Sequence, residues 1–164
     1  TLFRSSPVIY FEGYDAINAM YGFSVNLKTS VSGEVLDSCE IDNDTGSYSI
    51  TARKGSYLLE LKRPGFLTRY VPVTVADSDV TVPDKELFGG DFNQDQVINQ
   101  ADLDLLTNYI ANGATSFEDA GYDARFVLNG DLFIDGFDVT VATDNLGKAT
   151  ADYNEEIIIS VISI

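Results

Sequence analysis

Asp91-Phe92-Asn93-Gln94-Asp95-Gln96-Val97-Ile98-Asn99-Gln100-Ala101-Asp102 places side-chain oxygens at positions one, three, five and twelve of a twelve-residue stretch. Thirty-six residues further on, Val127-Leu128-Asn129-Gly130-Asp131-Leu132-Phe133-Ile134-Asp135-Gly136-Phe137-Asp138 repeats it, with the same residue types at positions three, five, eight and twelve. Each stretch runs into a helical pattern. Leu103, Leu106 and Ile110 follow the first, and Val139, Ala142 and Leu146 the second, at the i, i+3, i+7 spacing of one buried stripe.

The donor chemistry is that of a hard cation, which takes six to eight oxygens from carboxylates, amides and a backbone carbonyl. In the first loop Asp91, Asn93, Asp95, the Val97 carbonyl and Asp102 fill these roles for calcium. The second loop is weaker, because Val127 at position one has no side-chain oxygen. It keeps Asn129, Asp131, the Phe133 carbonyl and Asp138, with Asp135 acting directly or through water. Position six, where the chain needs positive φ, holds Gln96 and Leu132 rather than glycine, at roughly 1 kcal/mol of strain each. Ile98 and Ile134 at position eight are expected to join the two loops through a short strand-like contact. An ordinary EF-hand is not expected. No helix-forming stretch precedes either loop, position twelve is Asp rather than Glu, and the position-six glycine is missing.

The rest of the chain differs. The charge at pH 7 is −16, with no histidine. Residues 89–148 hold 11 acids against two bases. This balance disfavours nucleic acid and anionic membranes as partners. Without histidine, Ser-His-Asp and Cys-His catalysis and histidine-ligated metals are excluded. The clustered acids have metal-loop spacing rather than that of a glycosidase pair, so no enzymatic activity is expected. No apolar run reaches the roughly 18 residues of a membrane span, so no membrane insertion is expected. Cys39 is the one cysteine and reads as a small, at least half-buried side chain. The chain opens on Thr1 rather than Met and reads as a piece of a larger one.

From Gly22 to Val82 the pattern has period two. Tyr48, Ile50 and Ala52 alternate with polar neighbours, as do Tyr57, Leu59 and Leu61, and Val71, Val73 and Val75. The runs are bounded by Asp44-Thr45-Gly46, Lys54-Gly55, Arg63-Pro64-Gly65 and Asp77-Ser78. Residues 8–11 and 23–27 add strands, giving six or seven in an all-β sandwich, and residues 80–86 form a link. The tyrosines read as core rather than as a carbohydrate platform. The tail Ile157-Ile158-Ile159-Ser160-Val161-Ile162-Ser163-Ile164 has high β-propensity, and pairing with a sheet edge is favoured over a merely sticky end.

The duplicated loop-plus-exit-helix, without an entering helix, resembles a dockerin. Gly46-Ser47-Tyr48-Ser49-Ile50, Gly55-Ser56-Tyr57-Leu58-Leu59 and Val71 to Val75, running into Gly90-Asp91, resemble the carboxypeptidase-regulatory-like, Ig-like X module that precedes type II dockerins. The resemblance implies an all-β sandwich X module over residues 1–86, a small all-α dockerin with two EF-hand-like calcium loop-helix repeats over 89–148, and a tail over 149–164 that is a possible edge strand. It implies an extracellular, secreted or cell-surface protein. Its partner would be a cohesin of a scaffoldin or cell-surface anchoring protein in a cellulosome-like polysaccharide-degrading complex. Carried over by position, the docking residues would be Gln100, Ala101, Leu105, Asn108 and Tyr109 on the first helix, and Gly136, Phe137, Val141 and Asp144 on the second. Leu105, Tyr109, Phe137 and Val141 lie outside the buried stripes and call for a partner, or else complete a larger local core. The two helices differ at these positions, so a single docking orientation is expected. The other reading is a calcium-stiffened structural or adhesive stalk without cohesin binding.

Overall fold

A computed structural model describes residues 2–4, 9–11, 22–39, 48–83 and 85–159 of the chain. In chain order the elements are β1 (Leu2–Arg4), β2 (Ile9–Phe11), β3 (Ser24–Lys28), β4 (Val35–Cys39), β5 (Ser49–Thr51), β6 (Gly55–Lys62), β7 (Gly65–Phe66), β8 (Arg69–Val75), β9 (Lys85–Leu87), β10 (Gly89–Asp91), α1 (Gln100–Ala111), α2 (Gly136–Asp144) and β11 (Ile158–Ile159). Two 3-10 turns lie at Ala124–Phe126 and Thr150–Tyr153. Among the sequence expectations, Val8, the Asp44-Thr45-Gly46 turn and residues 160–164 lie outside the described residues.

Period-two alternation produces a five-stranded sheet in the order β11-β8-β6-β3-β4. Its centre is antiparallel, with Leu59 opposite both Leu27 and Val71, and Leu61 opposite Val25. Those side chains point to one face and are buried, together with Val73 and Val75. Each such burial contributes about 1.5–3 kcal/mol. On the other face Asn26 and Lys28 donate to the Glu60 carboxylate at 2.7 and 3.0 Å. Among the described residues three further two-stranded pieces are present: β1 with β5, β2 with β9, and β7 with β10. The expected link over 80–86 therefore contains the start of a strand, β9, parallel to β2. At the far edge Ile158 and Ile159 run parallel to Val73 and Thr74.

The expected architecture, an all-β sandwich followed by a separate small all-α module, is overturned. The described chain is mostly β, with only two short helices of 12 and 9 residues. Residues 89–148 open with a strand that pairs with β7, and their loops make further bridges, Val97 with Ala149 and Ser116 with Phe133. One cluster of buried residues includes Phe66 and Leu67 as well as Phe92, Leu106, Phe126 and Ala142. The physical reason is supply. α1 fully buries one apolar residue, Leu106, and α2 one, Ala142. Two such helices cannot close a core alone and share the one built on the sheet.

Two smaller expectations also fail. Leu146 lies beyond the end of α2 and is exposed, so the second stripe lacks its third residue. The position-eight isoleucines do not join the loops. Ile98 exchanges backbone hydrogen bonds with Gly147 and Lys148, and the Ile134 N–H donates to the Thr115 carbonyl. Each loop is closed by the segment that follows a helix: loop one by the segment after α2, loop two by the segment after α1.

Candidate metal loops and the turn that grips them

The two loops are built on the same local hydrogen bonds. In the first, the Asp95 N–H donates to the Asn93 side-chain oxygen at 2.9 Å, and the Val97 N–H to Asp95 Oδ1 at 3.0 Å. In the second, the Asp131 N–H donates to Asn129 at 3.2 Å and the Phe133 N–H to Asp131 at 2.8 Å. Short polar side chains at positions three and five thus fold the backbone back on itself. Position six is left-handed in both, with φ 74° at Gln96 and 70° at Leu132.

Position twelve does double duty. Asp102 Oδ1 accepts from the N–H groups of Phe92 and Asn93, and Oδ2 from that of Asn99, closing a capping box on α1. Asp138 does the same with Leu128, Asn129 and Asp135 at the start of α2. Both carboxylates are fully buried. Burial lifts the Asp138 carboxyl to about 6, even though the three N–H donors pull it down.

Position one separates the loops. Asp91 ends β10 and is fully buried. Its Oδ2 accepts from the Gln96 N–H at 3.2 Å, while Oδ1 is buried without a hydrogen-bond partner. Burial is the main cause that lifts this carboxyl to about 6, with Asp102 and Asp95 adding repulsion and the Gln96 and Gln94 N–H groups opposing it. Asp91, Asp95 and Asp102 each bring one oxygen within 4.8 Å of the others. A buried carboxylate with one oxygen unpartnered and two like charges nearby costs several kcal/mol, and a divalent cation removes that cost. Together with Asn93 and the Val97 carbonyl, the first-loop residues fit a hard cation.

In the second loop Val127 is buried instead, beside a cavity of about 250 Å³ lined by Arg63, Phe117, Tyr122 and Leu132. Its carbonyl accepts from Arg63 Nη2 at 3.3 Å. Asp135, the remaining acid, caps α2 by accepting from the Phe137 N–H at 2.8 Å. Among the described residues the acidic cluster of metal-binding spacing lies in the first loop alone.

Both position-one residues are held by the turn between β6 and β7. Gly65 pairs with Asp91 across the β7–β10 ladder, and Arg63 holds Val127. Gly65 has φ +84°, and a Cβ there would stand 2.0 Å from the Arg125 carbonyl oxygen. Arg63 is 2% exposed, its guanidinium 4.4 Å from the Phe66 ring centroid. In the sequence Arg63-Pro64-Gly65 reads as a turn only, and no local signal marks a contact 64 residues away. A second junction was equally invisible. The Tyr153 hydroxyl donates to the Leu67 carbonyl and accepts from the Phe88 N–H, its ring stacks on Phe88, and Glu155 pairs with Arg69 and Lys85.

The docking candidates divide by exposure. Gln100, Ala101, Leu105 and Asn108 are exposed on α1, and Gly136, Phe137 and Asp144 on α2. Leu105 is 41% exposed and Phe137 70%. Tyr109 and Val141 are half-buried against the core, with Tyr109 stacked on Phe126 and its hydroxyl donating to the Gly121 carbonyl.

No family model matches the chain, and no curated protein does. Among solved structures it is similar to a chain in the crystal structure of an N-terminal interface mutant of the type II cohesin–X-dockerin complex from Acetivibrio cellulolyticus. That match has 23% identity and a TM-score of 0.66, covering 93% of this chain and 97% of that one. It is similar also to a chain in the corresponding C-terminal interface mutant, at 21% identity and a TM-score of 0.68, covering 93% and 99%. At such identity the likeness shows the fold: this chain is folded like a component of a cohesin–dockerin assembly.

Proposed function

We propose that the chain is a non-catalytic protein–protein docking module of the cohesin–dockerin kind and stands on the dockerin side of the pair. Calcium in the first loop orders the start of α1. The exposed faces of α1 and α2, with Leu105 and Phe137 as their apolar points, bind a cohesin of a scaffoldin or cell-surface anchoring protein. The β sheet acts as the X module, stiffening the loops through the turn at Arg63 and Gly65. In this reading the protein works outside the cell, secreted or surface-bound, in the assembly of a polysaccharide-degrading complex. The observation that carries it is the fully buried Asp91, one of whose oxygens has no hydrogen-bond partner, clustered with Asp95 and Asp102 at the foot of α1.

The test is a binding panel containing both cohesins and dockerins, with calcium and with chelator. Calcium-dependent capture of a cohesin is expected. Capture of a dockerin instead would place the chain on the other side of the pair. Binding to neither, with calcium still taken up, would leave the calcium-stiffened stalk.

A further inference from the structure

We infer that the chain takes a single divalent cation, in the first loop, and that in the second loop the Arg63 guanidinium of the β6–β7 turn supplies the fixed positive charge in its place. The inference rests on the calcium reading of the first loop and concerns what became of the second.

The loops share the Asn–Asp–backbone scaffold and the position-twelve cap, so the difference lies in what position one faces. Asp91 brings a carboxylate to its cluster, with one oxygen left without a partner. Val127 brings an isopropyl group, buried beside the apolar side chains of Phe117 and Leu132. Its carbonyl is already held by a buried cation at 3.3 Å. The other donors do not separate the loops. Both Asp138 oxygens accept from backbone N–H groups as both Asp102 oxygens do, Asn129 Oδ1 accepts from the Asp131 N–H as Asn93 Oδ1 does from that of Asp95, and Asp135 caps α2 as Asn99 caps α1. Calcium needs six to eight oxygens and gains most where carboxylates are left unsatisfied. The second loop has no such surplus, and a guanidinium beside its first residue opposes a second cation. Its backbone nonetheless keeps the loop shape, because hydrogen bonds and Arg63 hold it. One repeat is thus ordered by an ion and the other by the sheet to which it is attached.

Calorimetric titration of calcium chloride into the full chain at neutral pH tests this. One equivalent is expected, abolished in Asp95→Ala and retained in Asp131→Ala. Two equivalents in the unaltered chain would overturn the inference and leave the calcium reading standing, whereas none would overturn both. Val127→Asp alone is expected to stay at one equivalent, and Val127→Asp combined with Arg63→Met to reach two. A second equivalent in Val127→Asp alone would remove the role given to Arg63. Arg63→Met by itself should lower the melting temperature equally with and without calcium, and an unchanged melting temperature would contradict the clamp.

Discussion

The two loops share their hydrogen-bond scaffold, and the difference that bears on a cation is at position one, Asp91 against Val127. In the first, a buried carboxylate oxygen is left without a partner. In the second, the equivalent place is apolar, and the sheet reaches in with Arg63. A loop of this shape can be held from within by a cation or from outside by tertiary contact. The same β6–β7 turn touches both, so the repeats are not independent of the sheet or of each other.

The largest effect is expected where that turn serves both loops. Gly65→Ala forces a side chain into positive φ and against the Arg125 carbonyl, and should destabilise the chain by roughly 3 kcal/mol or more in urea denaturation. It should weaken calcium binding as well. Lost stability with intact calcium affinity would mean that the turn does not position Asp91.

Calcium removal comes next. At a calcium concentration about 100 times Kd, binding contributes about 2.7 kcal/mol, or a shift of roughly 5–10 °C in melting temperature. Because one core cluster spans the sheet and both helices, chelator should move a single transition rather than melt residues 89–148 alone. Two separated transitions in calorimetry would show that the shared core does not couple them.

The pH dependence should then distinguish the loops. Without calcium, Asp91 and Asp138 both stand near 6, above the ordinary 3.8. A raised carboxyl binds its proton better in the fold than in the unfolded chain. The stability it contributes is therefore full below about pH 4 and lost as pH rises through 6. Calcium takes the place of the Asp91 proton, so its affinity should fall about tenfold per pH unit below 6. Asp91→Asn should remove calcium binding but leave the pH-dependent stability that comes from Asp138. A flat calcium affinity between pH 5 and 7 would show that Asp91 is not a ligand.

The smallest effect is expected at the exposed helix faces. Phe137→Ala, like Leu105→Ala, should weaken cohesin capture by about 1 kcal/mol, roughly fivefold, with the melting temperature unchanged. A lowered melting temperature with unaltered capture would assign these side chains to the fold instead.

Much of the local structure was legible in the sequence. Alternation at Tyr57, Leu59 and Leu61 reads as β6 because a strand's faces repeat every two residues. The loops and the helices after them are legible because Asn and Asp at fixed offsets bond to backbone within a few residues. The fold class of the second half was not. A charge-rich, helix-bearing stretch reads as all-α, whereas β10 pairs with β7 and Phe66, Phe92 and Phe126 share one core. The partners of Ile98 were also misread, because apolar position-eight residues say only that something covers them.

What is local can be read from the residues alone: the strands at 23–27, 48–52, 57–61 and 71–75, the two Asn–Asp loops, the helices that leave them, and the missing oxygen at Val127, whereas β4 and β7 carry no alternation of their own. Long-range packing alone brings Arg63 to Val127 and Gly65 to Asp91, and lets Tyr153 and Glu155 fasten the segment after α2 to the sheet. The physical reason is distance along the chain. Periodicity and turn chemistry act over a few residues, while these contacts join positions 26 to 86 apart, whose meeting depends on every element packed between them.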